Sequence, residues 1–177
     1  MKGVAILGAS SYFEQNNFEH VLAALMPPNR LAIRVSLATG LRISDVLSIK
    51  TSQLAPRITV REQKTGKNKR VYIPKPLLED MVLLAGRHYV FEHRLNEHEH
   101  RTRQAVFKDL KRAARLFRVE KDIQLSPHSA RKVFAVEKLK KYGDVKKIQK
   151  LLNHSNEAVT MVYCMADLIT ERGKKKH

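Results

Sequence analysis

The chain has 177 residues, 34 of them Lys or Arg against 17 Asp or Glu, for a formal charge of +17. That length suits one domain with a sizeable core rather than two, and so one-sided a charge points to a polyanionic partner, met chiefly by the half beyond residue 100, which holds 20 of the basic side chains. The lone Cys164 excludes an internal disulfide, and no stretch nears the ~20 apolar residues of a membrane-spanning helix, so a cytoplasmic protein away from the membrane is expected.

In chain order, the apolar run Val4 to Ala9 is short for a secretory signal and is broken by Gly8, which leaves residues 1–15 as a short leader. Phe18, Val21, Leu22 and Leu25 follow i, i+3, i+4, i+7 and predict an amphipathic helix, capped by Asn16 or Asn17 and stopped by Pro27-Pro28. A second helix fits Arg30 to Thr39 and ends at Gly40; helix restarts after Gly40 or at Ser44, which puts Arg42 at a junction between helices. In "RITVREQKTGKNKRVYIP", Ile58 and Val60, then Val71 and Ile73, alternate with polar residues on either side of "KTGKNK". This predicts a β-hairpin with Lys64 at the end of its first strand.

Pro76 opens a helix carrying Leu77, Leu78, Met81 and Leu84, and another runs from Thr102 with Val106, Leu110, Ala113 and Phe117 as its stripe. Ser126 caps and Pro127 opens a helix that Gly143 ends; Asp144 caps "VKKIQKLL" and Asn156 caps "EAVTMVY". Residues 168–177, closing in "RGKKKH", read as a disordered basic tail. The expected fold class is mainly α with a small antiparallel β-sheet (α+β).

Taken singly, the chemistry-bearing residues are ambiguous. Arg42 can simply pair with Asp45, and Lys64 can be an ordinary turn lysine beside Thr65-Gly66. His128 and Arg131 share a face in the first turn of a helix, where the dipole favours an anion, yet a capping histidine beside a solvated arginine looks the same in sequence. His88, His93, His98 and His100 fit no standard zinc spacing and no cysteine assists them, so a solvated helix end is expected there and no metal.

Taken in order, "ATGLRISDVLSI", "QKTGKNKRVYIP", "PHSARK" and "LLNHSNEAVTMVY" resemble the catalytic domain of the tyrosine recombinase (phage integrase) family, over roughly residues 16 to 165, which implies a catalytic domain of residues 16–167. The resemblance implies that Arg42 is the first catalytic arginine, Lys64 the hairpin lysine, His128 and Arg131 the H-x-x-R pair, His154 the second histidine and Tyr163, nine residues later, the nucleophile. It implies DNA contacts by Arg42, Lys67, Arg131 and Lys132. The chain departs from the family at Ala130, where a bulkier apolar residue is usual, and at Asn153, where glycine is usual; asparagine is the next best residue for a left-handed helix end. It also carries no counterpart of the family's amino-terminal core-binding domain, as expected of a short member or of a catalytic fragment.

The residue types suit the implied reaction. Tyrosine has a pKa near 10, so Tyr163 needs a base, for which His128 is the candidate. Two guanidinium forks hold the non-bridging oxygens as charge spreads over them. Lys64 is expected to give a proton to the leaving 5′ oxygen, with Lys67 and Lys69, close to it in sequence, left open as alternatives for that role. His154 is expected to bond the phosphate or orient Tyr163. The implied product is a 3′-phosphotyrosyl link, which calls for no cofactor. The implied partner is double-stranded DNA, with a dimer on each site, a homotetramer across two sites, and a monomer away from DNA. Two other readings stay open: a DNA-binding accessory protein that does not cut, and a related topoisomerase that relaxes DNA without exchanging partners.

Overall fold

The structure, a computed structural model, describes residues 20–117 and 125–153. Helix α1 (Pro27–Thr39) is followed by the short α2 (Ile43–Leu47), a 3-10 turn at Thr51–Gln53, strands β1 (Arg57–Arg61) and β2 (Asn68–Tyr72), and helices α3 (Lys75–Leu84), α4 (Arg103–Leu116), α5 (Pro127–Tyr142) and α6 (Val145–Leu151). The mainly helical class with one small antiparallel sheet is as expected from the sequence. The expected caps at Asn16, Asn17 and Asn156, the leader, the tail and Cys164 lie outside the described residues.

Pro27-Pro28 does more than stop the helical turn that carries Val21 and Leu22. It opens α1, three residues earlier than the expected start at Arg30, because proline in a first turn gives up an N–H that has no helical partner. The entry is fastened by Asp109 of α4, whose Oδ2 accepts from the Met26 N–H and the Asn29 amide, each at 2.8 Å. Burial pushes Asp109 up, but those donors and Arg112 outweigh it and hold its carboxyl below the usual range.

Gly40 ends α1 in the left-handed region, φ 65°, where its N–H donates to Ser36. A β-carbon there would meet the Phe134 ring at 2.5 Å, so Gly40 serves both the turn and the close packing of α1 on α5. The hairpin pairs Arg57 with Tyr72 through Arg61 with Asn68. Its buried face packs Ile58, Val60 and Val71 into the core, and its exposed face carries Arg57, Arg61 and Arg70.

The Ser126 and Asp144 caps form as expected, Thr102, the expected first residue of its helix, is instead the cap of α4, and Gly143 closes α5 at φ 66°. Val106, Leu110 and Ala113 are buried, whereas Phe117 falls at the helix end and is 49% exposed. The main core spans α1 to α5; a smaller cluster of Phe134, Ala135, Ile148 and Leu152 seats α6 on α5. Ala130 is wholly buried. Asn153, at φ 50°, takes the left-handed end foreseen for it. No helix among the described residues is long and apolar enough to cross a membrane.

Candidate active site

Four elements meet around the carbonyl end of α1. Gly40 turns the chain so that Arg42 becomes the cap residue of α2, in extended conformation. The Ser126-Pro127 start of α5 puts His128 and Arg131 one helical turn apart. Arg131, 2% exposed, reaches across: its Nη1 donates to the Gly40 carbonyl at 2.7 Å and its Nη2 to the Leu152 carbonyl at the end of α6. One guanidinium therefore joins the ends of α1 and α6, two residues ahead of His154 in the sequence.

The hairpin supplies the counter-charge. Glu62 follows β1, is wholly buried, and lies with Oε2 3.0 Å from Arg42 Nη1 and Oε1 3.9 Å from Arg131 Nη1. Asp45, also wholly buried, stands 3.9 Å from Arg42 and accepts the Gln63 N–H at 2.9 Å. The surface ion pair Arg42–Asp45 that the sequence allowed is thus a buried and secondary contact; the nearer carboxylate is Glu62. The two acids respond in opposite ways. Burial pushes Asp45 up, beyond what Gln63 and Arg42 restore, whereas burial of Glu62 is outweighed by the Thr65 hydroxyl and Arg42, so its carboxyl sits below the usual range.

Lys69 completes the cluster from β2. Only 8% exposed, it donates from Nζ to the carbonyls of Thr39 at 3.3 Å and Gly40 at 3.2 Å. Burial first, and then the Arg131 charge, bring it down to about 7. Two guanidinium groups and Lys69, which is only partly protonated at neutral pH, thus face two carboxylates in little water, so the guanidinium charges are balanced and fixed in place and Lys69 can gain or lose a proton beside them. His128, partly buried, is held below the ordinary imidazole range by burial and then by Arg103, Arg131, Arg42 and Lys132. It is therefore neutral at neutral pH, able to accept a proton.

Of the residues expected at the site, Arg42 and Arg131 come together on Glu62, with His128 in the same field and Lys132, half-buried, beside Arg131 on α5. Lys64 and Lys67 stand exposed in the turn beyond β1, three and six residues past its end at Arg61. Lys64 is thus a turn residue, not the last of the strand. His154 and Tyr163 lie outside the described residues. Glu62 was not foreseen as a member of the cluster, and Lys69 was raised only as a neighbour that could take the role of Lys64, although the signal for burial was present: continuing the alternation from Ile58 and Val60 puts Glu62 on the inner face, and counting back from Ile73 and Val71 puts Lys69 there.

The histidine-rich stretch is a loop between α3 and α4, not a helix end. In it the His88 and His98 rings stack at 4.9 Å and Glu97 lies 3.7 Å from His98, but the same carboxylate is 3.5 Å from Arg87, whose charge opposes a cation.

The profile of the phage integrase family matches residues 11–168. The chain belongs to the phage integrase family. Among characterised relatives, a tyrosine recombinase XerD of Lacticaseibacillus casei is 33% identical over 147 residues, covering 76% of this chain and 49% of that protein. A tyrosine recombinase XerA of Pyrococcus furiosus is 31% identical over 144 residues, with the same coverage of 76% and 49%. The chain thus spans about half the length of these relatives. Its fold is that of the solved phage integrases and recombinases: a lambda integrase (75-356) dimer bound to a COC′ core site superposes with a TM-score of 0.75 at 19% identity, over 87% of this chain and 59% of that one. The catalytic domain of bacteriophage HP1 integrase gives 0.63 at 23% identity, over 88% and 87%.

Proposed function

We propose that this phage integrase family chain is the catalytic part of a site-specific DNA recombinase, cleaving and rejoining strands through a 3′-phosphotyrosyl intermediate at Tyr163. The observation that carries the reading is the convergence of Arg42 and Arg131, from α2 and α5, on one buried carboxylate, with His128 one helical turn from Arg131. Fixed guanidinium donors in a site of low polarity stabilise charge developing on phosphate oxygens without reorganisation, each worth about 3 kcal/mol on the scale of other oxyanion donors.

In this reading His128 takes the phenolic proton, the Tyr163 oxygen attacks phosphorus, and the bond to the 5′ oxygen breaks as Lys64 protonates it. His154 bonds the phosphate or orients the tyrosine. Reversal with a 5′ hydroxyl from another strand rejoins the backbone, so the energy of the broken bond is retained and no nucleotide is consumed. Lys67 and Lys132 contact the DNA backbone. Strand exchange then takes a dimer at each site, with which the lambda integrase dimer on its core site is in keeping, and a tetramer across two, in the cytoplasm.

The test is covalent capture. Incubated with a pool of nicked duplexes of randomised core sequence, the chain should give a band shifted by the mass of the attached strand, and Tyr163→Phe should give none. A band that persists in Tyr163→Phe, or none with any duplex, overturns the reading; the latter leaves DNA binding without cutting.

A further inference from the structure

We propose that Glu62, a residue outside the implied catalytic set, is a positioning residue that fixes the Lys64 turn to the arginine pair and so sets where the leaving-group proton is delivered. The proposal rests on the strand-transfer reading above.

The geometry centres on one carboxylate. Its Oε2 lies 3.0 Å from Arg42 Nη1 and also accepts from the Thr65 hydroxyl at 2.8 Å; its Oε1 faces Arg131 at 3.9 Å. The backbone of the same residue closes the turn, its N–H donating to the Lys67 carbonyl at 2.9 Å and its carbonyl accepting from Gly66 at 2.8 Å. Thr65 in turn accepts the Lys67 N–H at 3.3 Å, and the Gln63 N–H is held by Asp45 at 2.9 Å.

Lys64 therefore sits in a turn whose closing bonds end on Glu62, on Thr65, which itself bonds Glu62, or on Asp45. The lysine side chain is exposed and long, so the place from which it swings is decided by the turn rather than by packing of its own. The side chain that neutralises the arginines also anchors that turn. The anion-holding groups and the proton donor thus share one fixed point, although they come from three separate elements.

The experiment compares two scissile linkages in single-turnover cleavage by the full chain. One is a duplex captured from the randomised pool; the other is the same duplex with a 5′-bridging sulfur, whose thiolate departs without a proton. Glu62→Gln keeps the size and the acceptor for Thr65 but removes the negative charge that faces the arginines; Thr65→Ala removes the tether and leaves the ion pairs. Thr65→Ala should cleave the oxygen substrate at least ~10-fold more slowly, up to the ~10²–10⁴ that general acid catalysis supplies, and most of that loss should disappear on the sulfur substrate, as it should for Lys64→Ala. Glu62→Gln, which also alters the arginines that hold the phosphate, should be slowed on both substrates and at least ~10-fold further on the oxygen one.

Equal loss on both substrates, or none on either, overturns the proposal and leaves the recombinase reading standing. Should Glu62→Gln fail to fold, Thr65→Ala decides alone. No cleavage of either substrate by the unaltered chain overturns the recombinase reading and the proposal with it.

Discussion

At the scale of single residues, two glycines in the same backbone conformation are expected to behave differently. Gly40 and Gly143 have φ of 65° and 66°, but a β-carbon at Gly40 would lie 2.5 Å from the Phe134 ring, while at Gly143 it would meet nothing within 4 Å. Gly143→Ala should cost about 1 kcal/mol, the left-handed penalty alone. Gly40→Ala adds overpacking and should cost about 2–4 kcal/mol, both read from urea denaturation. Lys69 makes a separate prediction. Its folded pKa is about 7 against an ordinary 10.5, so between those values the unfolded chain holds a proton that the folded chain has released. Stability should rise with pH across that window, by at most about 1.4 kcal/mol per unit. Lys69→Met should flatten the rise; the other lysines titrate in both proteins, so the difference between their slopes at pH 7 to 10 isolates Lys69, and equal slopes would contradict it. Burial of Lys69 and Glu62 could be read from period-two alternation, but their partners could not, since which carbonyl or guanidinium a buried charge meets depends on where packing leaves the end of α1 and the start of α5 relative to the hairpin.

At the scale of elements, α6 shows how a short helix is kept. Seven residues are too few to hold a helix by backbone bonds alone. Asp144 accepts the N–H groups of Lys146 at 2.9 Å and Lys147 at 3.2 Å, while Ile148 and Leu152 pack on Phe134 and Ala135. Asp144→Ala should cost about 1 kcal/mol and speed amide exchange across 145–152; unchanged exchange there would show that packing alone suffices. Because the Leu152 carbonyl is what Arg131 holds, the same change should weaken strand cleavage more than it weakens DNA binding. Caps such as Ser126-Pro127 and Asp144 were legible because one or two residue types carry the whole signal. The start of α1 was not, because proline both ends one helix and begins the next, and only the bonds of Met26 and Asn29 to Asp109 decide between these roles. The hairpin was legible but the place of Lys64 in it was not, since turn length is set by bonds from Glu62 that alternation does not encode.

At the scale of the whole molecule, a formal charge of +17 implies that the DNA binding proposed above would release many counterions. If 6–10 phosphates are contacted, affinity for a random duplex should fall about 10³- to 10⁵-fold between 50 and 200 mM salt. Fluorescence anisotropy checks this, and a nearly flat dependence would contradict a phosphate-facing surface. The charge and the order of the motifs were readable along the chain; the meeting of Arg42, Arg131, Glu62 and Lys69 was not, because it arises from tertiary packing around the end of α1. The two-stranded sheet has a further bearing on handling the protein. Hairpin edges can recruit strands from other copies, and Arg57, Arg61 and Arg70 on the open face give approaching copies a mutual repulsion. Conditions that mask those charges, such as concentrated multivalent counterions, would therefore favour aggregation.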